Sequence, residues 1–253
     1  MKKTVLVSGG AGFIGSHVTV ELIQAGYDVV VADNFSNCDL TCFEGVKKIT
    51  GRDDIPLVKM DFCDAEAVHK IFNDYPIDAV IHFAAFKAVG ESVFKPVLYY
   101  KNTLMSFLNV LEAAEAKGGC NVLFSSSATV YGEPDVVPVT EKTPRKPATS
   151  PYGNTKAVCE DILRDTVFAT KGAVKGILMP NFNPIGAHPS ALIGELPAAF
   201  PTTWSRSSPR PPSASASACP CSATTIPPRT APACATSSTS WTSRRRMCMP
   251  SPG

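Results

Sequence analysis

The stretch Ser8-Gly9-Gly10-Ala11-Gly12-Phe13-Ile14-Gly15 decides the fold class of this chain. It follows a short β-branched run at residues 4–8 and opens a helical pattern over residues 13–25. Glycines in such a turn let the backbone approach a pyrophosphate, whose charge then faces the helix N-terminus. A loop that only needs positive φ also selects glycine. The strand–turn–helix context nevertheless favours a dinucleotide-binding site at Gly9, Gly12 and Gly15.

Strand-like and helix-like stretches alternate over residues 1–196. Further strands are predicted at 28–32, 55–60, 79–82, 121–125 and 173–179, and helices at 65–73, 103–116 and 152–170. This alternation implies a parallel sheet covered on both faces, and right-handed crossovers make it doubly wound. We therefore predict an α/β fold with a Rossmann-type doubly wound parallel sheet and helices on both faces.

Two acidic positions extend the dinucleotide prediction. Asp33 follows the second strand, 18 residues after Gly15, where a carboxylate would bind the adenosine ribose hydroxyls. A carboxylate there repels a 2′-phosphate, which favours NAD over NADP; the alternative is a simple turn or cap. Asp61-Phe62 follows the third strand and would flank the adenine, unless Asp61 only caps a helix.

Tyr152-Gly153-Asn154-Thr155-Lys156 is a Y-x-x-x-K motif. Residues four apart share one face of a helix, so the ammonium of Lys156 is expected near the phenol of Tyr152. A nearby cation lowers the pKa of the phenol from about 10 and makes it a usable general base. A chance surface pair is the alternative.

Ser125-Ser126-Ser127 ends the fifth predicted strand at its carboxyl edge. Ligands bind at this edge in open α/β sheets, and a hydroxyl there could bridge a substrate oxygen and the Tyr152 phenol. A merely polar strand end is the alternative. The order of the three motifs along the chain favours the catalytic interpretation.

Three longer stretches resemble the UDP-glucose 4-epimerases of the extended short-chain dehydrogenase/reductase family. They are Phe124-Ser125-Ser126-Ser127-Ala128-Thr129-Val130-Tyr131-Gly132, Ala84-Ala85-Phe86-Lys87-Ala88-Val89-Gly90-Glu91-Ser92 and Asn181-Phe182-Asn183-Pro184-Ile185-Gly186-Ala187-His188-Pro189-Ser190. Related sugar-nucleotide dehydratases carry an Asp-Glu pair where this chain has Ala128-Thr129, so the resemblance favours an epimerase. The family usually has Arg-Tyr where this chain has Pro180-Asn181, which departs from the pattern beside the nicotinamide.

The resemblance implies a role for each matching position. Ser127, Tyr152 and Lys156 would be catalytic, whereas Tyr131 is a weaker candidate because no Lys lies four residues on. The cofactor-binding residues would be Gly9, Gly12, Phe13, Ile14, Gly15, Asp33, Asn34, Ser36, Asp61, Phe62, Phe83, Ala84, Ala85, Lys87, Asn102, Tyr152 and Lys156. The substrate-binding residues would be Lys87, Ser127, Tyr152, Phe182 and Asn183. His17 and His188 are expected to be structural.

The implied reaction is NAD-dependent interconversion of UDP-glucose and UDP-galactose, an isomerase reaction of galactose metabolism. C4 of the sugar would be inverted through a 4-keto intermediate, and NAD would stay bound between turnovers. A homodimer is implied by the family alone. Two alternatives remain: a non-catalytic NAD-binding module, and an epimerase for UDP-N-acetylhexosamines.

The composition argues against several other classes of function. Residues 1–196 hold 18 basic and 22 acidic residues, so no basic surface for nucleic acid is predicted. No uncharged apolar run reaches the about 18 residues of a membrane span, and the apolar run after Lys3 is too short for a signal core. A cytoplasmic protein with reduced thiols is expected. The Cys219/Cys221 pair is not followed by a histidine, so no metal site is predicted.

Residues 197–253 differ in composition from the rest. They contain six Arg as their only charged residues and half of the chain's 22 Pro, with no Val or Tyr. Such a segment cannot build a core, which is typical of disorder. Alternatively it is translated out of frame: codons for 199–204, read one base earlier, can give Gly-Ile-Pro-Asn-Asn-Leu, an epimerase-like string. We therefore expect an NAD-binding unit at 1–196, an out-of-frame tail at 197–253, and little activity from the chain as written.

Overall fold

The computed structural model describes residues 2–140, 142–182, 184 and 186–195. Its strands are β1 (Thr4–Ser8), β2 (Asp28–Asp33), β3 (Leu57–Lys59), β4 (Ile77–His82), β5 (Asn121–Ser127) and β6 (Lys175–Asn181). Its α-helices are α1 (Phe13–Gln24), α2 (Thr41–Thr50), α3 (Ala65–Asp74), α4 (Val89–Phe94), α5 (Pro96–Ala116) and α6 (Pro151–Ala169). A 3-10 turn, Ala128–Tyr131, follows β5.

The six strands form one sheet in the order β3-β2-β1-β4-β5-β6, and every pairing is parallel. The chain builds outward from β1 to β3, crosses back to β4, and continues outward to β6. The connections therefore diverge between β1 and β4, which opens a crevice at the carboxyl ends of these strands. The predicted Rossmann-type sheet is confirmed.

Alternation along the buried strands divides the core into two layers. Val5 and Val7 pack on the face that α1 and α2 cover, together with Phe43 of α2. Leu6 points to the opposite face, where Phe107 of α5 and residues of α3 and α6 pack. Successive strand side chains point to opposite faces, so a strand buried on both sides reads as a continuous apolar run.

The element bounds differ from the sequence prediction in a few places. The β5 strand extends two residues further than predicted, to Ser127, which places the whole serine triplet within the strand. Helix α5 begins at Pro96 instead of residue 103, because proline suits the first helical position. The sequence pattern indicates a solvated helix face at Lys47-Lys48 of α2 but no bounds for it, and it does not indicate α4. The tail at 197–253 lies outside the described residues.

None of the helices in the described ranges combines the length and the apolar composition needed to cross a bilayer.

Candidate active site

The glycine-rich turn between β1 and α1 is packed so tightly that three of its glycines, Gly9, Gly10 and Gly15, have no room for a Cβ. A Cβ on Gly9, whose φ is +71°, would lie 2.9 Å from the backbone nitrogen of Ala84. A Cβ on Gly15 would lie 2.2 Å from the carbonyl oxygen of Gly9, whereas one on Gly12 would meet that oxygen at 3.4 Å. The turn is thus held against both α1 and the end of β4.

The N-terminus of α1 is open to an anion. Gly12 caps the helix without a side-chain hydrogen bond, and its first turn holds no acidic residue. Phe13 and Ile14 lie in this first turn, and the ring of Phe13 contacts that of His17 edge-on at 5.0 Å between centroids. The predicted contribution of Phe13, Ile14 and Gly15 is therefore best made by their backbone, where the helix dipole favours negative charge.

Asp33 ends β2 beside this turn and is buried. Its Oδ2 accepts a hydrogen bond from Ala11 N at 3.1 Å, and its Oδ1 accepts one from Phe35 N at 2.9 Å. The thiol of Cys38 lies near this carboxylate, and burial followed by the Asp33 charge raises the pKa of Cys38 to about 12. Asp33 therefore joins the glycine-rich turn to the end of β2. No pattern in the sequence indicates that Cys38 lies beside it.

The residues predicted around the adenine lie on adjoining loops. Asn34 Nδ2 donates to Asp61 Oδ2 at 3.3 Å, and Ser36 N donates to Asn34 Oδ1 at 2.9 Å. Asp61 does not cap α3, since that cap is Asp64, whose carboxylate accepts from Ala67 N. The simple helix-cap alternative for Asp61 is therefore wrong.

The position of Phe62 contradicts the expectation that its side chain flanks the adenine. Its side chain is only 3% exposed and lies in the core under the sheet, with its ring 5.9 Å from that of His82. A ring packed there cannot flank an adenine. Any contribution of Phe62 to cofactor binding is left to its backbone, and the carbonyl already accepts a hydrogen bond from Asn109 Nδ2 at 2.9 Å.

The loop after β4 forms the other wall of the crevice. Phe83 N donates to Ser8 O at 3.0 Å and Ala84 N donates to Ser8 Oγ at 3.4 Å, which joins this loop to the end of β1. Ala85 follows, half-buried. Asn102 of α5 accepts a hydrogen bond from Phe86 N at 3.2 Å, so it fixes the loop to α5.

Lys87 lies further along the same loop and is half-exposed. Its Nζ forms an ion pair with Glu195 Oε1 at 2.6 Å. The two residues are 108 positions apart in the chain. The sequence contained no signal for this pairing.

Ser127, Tyr152 and Lys156 converge at the carboxyl end of β5. Ser127 Oγ accepts hydrogen bonds from Thr129 N at 3.3 Å and Thr129 Oγ1 at 3.0 Å, so its own proton is left for another acceptor. Its side chain lies near enough to the Tyr152 phenol to lower the pKa of that phenol. Lys156 Nζ lies 5.9 Å from the centre of the Tyr152 ring. The predicted grouping is therefore present in the structure.

The local structure explains why Tyr152 is placed there. Ser150 caps α6 by accepting a hydrogen bond from Gly153 N at 3.1 Å, and Pro151 occupies the first helical position. A Cβ on Gly153 would lie 3.1 Å from Thr129 Oγ1, so glycine allows α6 to approach the turn after β5. Tyr152 thus enters the site from the first turn of α6.

The electrostatics differ from the sequence expectation. Burial raises the pKa of Tyr152, the Ser127 hydrogen bond lowers it, and the net shift is upward. Lys156 is 3% exposed, and burial lowers the pKa of its ammonium to about 8. Its Nζ donates to Ser125 O at 2.9 Å and lies 4.8 Å from the Phe124 ring centre. Because the ammonium is turned toward these groups, the phenol's pKa is not lowered as predicted.

The remaining candidates lie beyond the catalytic group. Phe182 follows β6 and is half-buried, whereas Asn183 lies outside the described residues. Pro180 is accommodated because β6 is the edge strand of the sheet. Tyr131 is buried at the end of the 3-10 turn. His17 Nε2 accepts a hydrogen bond from His188 N at 3.0 Å, which agrees with a structural role for both.

Comparison with known proteins places this geometry in a family. Residues 6–189 match the family model described as GDP-mannose 4,6 dehydratase. UDP-glucose 4-epimerase 2 of Arabidopsis thaliana is 48% identical over 79% of this chain, and the UDP-glucose 4-epimerase of Bacillus subtilis is 49% identical over 78%. The chain spans 57% of the length of each of these relatives.

One solved structure is similar to this chain in both sequence and fold. The UDP-glucose 4-epimerase from Bifidobacterium longum, crystallised in complex with NAD+ and UDP, has a TM-score of 0.76 and 45% identity. The match covers 79% of this chain and 59% of that one. These matches show that the chain belongs to the extended short-chain dehydrogenase/reductase family, in the group that includes the UDP-glucose 4-epimerases.

Proposed function

We propose that this chain carries the cofactor-binding and catalytic part of an NAD-dependent UDP-glucose 4-epimerase, which interconverts UDP-glucose and UDP-galactose. The observation that carries the proposal is the convergence of Ser127, Tyr152 and Lys156 at the carboxyl edge of β5, two strands from the glycine-rich turn. The names of the similar proteins supply the substrate class.

The residues of the crevice fit NAD. Gly9 and Gly15 leave no room for side chains between the turn, α1 and Ala84. The start of α1, where no side chain bonds to the first amides, suits a pyrophosphate. Asp33 ends β2 where a ribose would bind, and its charge disfavours a 2′-phosphate. When bound, NAD would accept a hydride from C4 of the hexose and return it to the opposite face.

The side chains of the chain supply proton transfer and orientation. Tyr152 acts as the general base for the sugar 4-hydroxyl, and its phenolate is stabilised by the proton that Ser127 donates. Two hydrogen bonds from Thr129 hold Ser127 Oγ in place for this task. Lys156 supplies a buried positive charge close to the ring. Lys87, Phe182 and Asn183 are proposed to contact the UDP-sugar.

The test is conversion of UDP-galactose to UDP-glucose by the 253-residue chain and by a chain whose reading frame is restored after codon 195. We expect the chain with the restored reading frame to convert UDP-galactose to UDP-glucose. The Tyr152→Phe variant should lose about 10²–10⁴-fold in rate, whereas Tyr131→Phe should keep most of it. No conversion by the restored chain would overturn the proposal. NAD binding without reduction on adding UDP-sugar would instead support a non-catalytic module.

We also propose that residues 197–253 are an out-of-frame product, with the NAD-binding unit at 1–196. The support is the composition of the tail, together with relatives that match only 79% of the chain. Resequencing the source DNA across the codons for Gly194 to Phe200 tests this directly. A missing or extra base is expected there, and an intact frame would make the tail genuine.

A homodimer and a cytoplasmic location complete the proposal. Apolar side chains stand exposed on α5, including Val97 at 78%, and on α6 at Phe168. Such a surface favours association through these helices. The five cysteines described are free, which suits a reducing compartment. The molar mass in solution, measured by light scattering, tests the dimer, and Val97→Glu should lower it to that of a monomer.

A further inference from the structure

Helix α6 meets β5 through three consecutive polar contacts. Tyr152, Lys156 and Glu160 are four residues apart and share one face of the helix. The Tyr152 phenol lies near the Ser127 side chain, and Lys156 Nζ donates to Ser125 O at 2.9 Å. Ser126 Oγ donates to Glu160 Oε1 at 2.5 Å. The first two contacts belong to the proposed catalytic group, but nothing in that chemistry uses the third.

Glu160 is a buried carboxylate with a full set of partners. It is 4% exposed. Beside the Ser126 bond at Oε1, its Oε2 accepts from Arg145 Nη1 and Arg164 Nη2, each at 3.3 Å. Burying a carboxylate is costly unless it is paired and hydrogen-bonded. A charge kept at this depth, next to the serine that precedes Ser127, therefore constrains how α6 sits on β5.

Arg145 joins the loop before α6 to the same contact. Its Nη1 also donates to Ala157 O at 3.1 Å, and its Nη2 pairs with Asp161. Arg164 pairs with Asp161 as well, at 2.9 Å. Asp161 thus shares both arginines with Glu160 but is exposed and, within the described part of the chain, is not hydrogen-bonded to Ser126. It serves as a matched control for loss of a carboxylate on this helix.

We propose that Glu160 is a positioning residue, which by holding Ser126 sets the separation of α6 from β5 and thereby keeps the Tyr152 phenol against Ser127. The catalytic meaning of this placement rests on the proposed function. The placement itself is a property of the folded chain. A purely structural role would change stability and leave the surroundings of the phenol as they are.

The experiment follows the ionisation of Tyr152 in the 253-residue chain. All six tyrosines are replaced by 3-fluorotyrosine, which lowers phenol pKa values into a range where proteins stay folded. The fluorine resonance of Tyr152 is assigned by its loss in Tyr152→Phe and then titrated with pH. The variants are Ser126→Ala, Glu160→Gln and the control Asp161→Asn, each checked for folding by circular dichroism.

The Ser127 hydrogen bond lowers the pKa of Tyr152 against the effect of burial, so loosening it should raise the measured value. We expect Ser126→Ala and Glu160→Gln to raise the Tyr152 pKa by about half a unit to one unit, with no shift in Asp161→Asn. An unchanged Tyr152 pKa in the folded Ser126→Ala chain would overturn the proposal. An equal shift in Asp161→Asn would also overturn it, by assigning the effect to the arginines.

Two features keep this test independent. If Glu160→Gln does not fold, Ser126→Ala alone decides, because it removes a single hydroxyl. The titration needs neither NAD nor UDP-sugar, so absence of epimerase activity would count against the proposed function and leave the positioning result standing.

Discussion

Gly15 is the residue on which the glycine-rich turn depends most. An alanine Cβ there would lie 2.2 Å from Gly9 O and 2.6 Å from Gly10 Cα, both backbone atoms that cannot rotate away. We expect Gly15→Ala to lower the free energy of unfolding by about 1–3 kcal/mol and to abolish NAD retention. Gly12→Ala, with its nearest contact at 3.4 Å, should cost less than about 1 kcal/mol. Urea denaturation compares the two, and equal losses would contradict the packing argument.

The burial of His82 makes the stability of the folded chain depend on pH. It is buried at the end of β4, its Nδ1 pairs with Ser8 Oγ at 2.8 Å, and in the described part of the chain its Nε2 has no hydrogen-bond partner. Burial, and then the Lys156 charge, lower its pKa to about 3. The unfolded chain therefore binds a proton below about pH 6.5 that the folded chain does not, so stability falls as pH drops from about 6.5 toward 3.

Replacing this histidine should make the free energy of unfolding less dependent on pH. His82→Asn cannot titrate and retains a group that can pair with Ser8. Between pH 7 and pH 4.5 we expect the wild-type chain to lose about 2–3 kcal/mol more unfolding free energy than the variant. Urea denaturation at the two pH values measures the difference, and parallel profiles would show that His82 does not titrate in this way.

The residue scale also shows the limit of sequence reasoning. Gly9, Gly15, Asp33 and the Y-x-x-x-K pair could be predicted because their chemistry is set by short spacings along the chain. The role of Glu160 could not be predicted, because it depends on a hydrogen bond with Ser126, 34 positions away. The sign of the Tyr152 shift could not be predicted either, since burial and the direction of a side chain decide it.

At the scale of elements, the start of α6 carries a testable dependence. Ser150 accepts the hydrogen bond of Gly153 N at 3.1 Å and so closes the first turn, which holds Tyr152. Ser150→Ala should cost about 1 kcal/mol and speed hydrogen exchange at the Gly153 amide. Ser150→Thr, which keeps a hydroxyl, should recover most of both. Equal exchange rates in the three chains would contradict a role for this cap.

The strand β1 was predictable from the sequence, whereas the bounds of helix α2 and all of helix α4 were missed for local reasons. The strand β1 begins and ends as predicted because all five of its residues are buried and apolar or small. Helix α2 carries Gly45 in its interior, and glycine disfavours a helix. Helix α4 has only six residues, less than two turns. Tertiary packing, absent from a local window, stabilises both.

At the scale of the whole molecule, residues 186–195 form a return segment that joins distant parts. His188 N donates to His17 of α1, and Gly194 O accepts from Cys42 Sγ of α2 at 3.3 Å. Ile193 is 2% exposed and packs in the layer that α1 and α2 cover. The segment ends with Glu195 paired to Lys87, so it connects the face of α1 and α2 to the loop after β4. This connection arises only from the assembled fold.

Gly45 is the point at which the return segment can be displaced without touching Lys87 or Glu195. A Cβ on Gly45 would lie 2.3 Å from Leu192 O and 2.7 Å from Ile193 Cγ2. We expect Gly45→Ala to cost about 1–3 kcal/mol and to increase hydrogen exchange in peptides covering residues 186–195, including the His188 amide. Gly90→Ala is the matched control, because nothing lies within 4 Å of its Cβ and alanine favours the helix by up to about 1 kcal/mol. Mass-spectrometric exchange of both variants measures the effect. Unchanged protection of the return segment in Gly45→Ala would mean that α2 does not hold it, which would leave the His188–His17 hydrogen bond and the Lys87–Glu195 pair to do so.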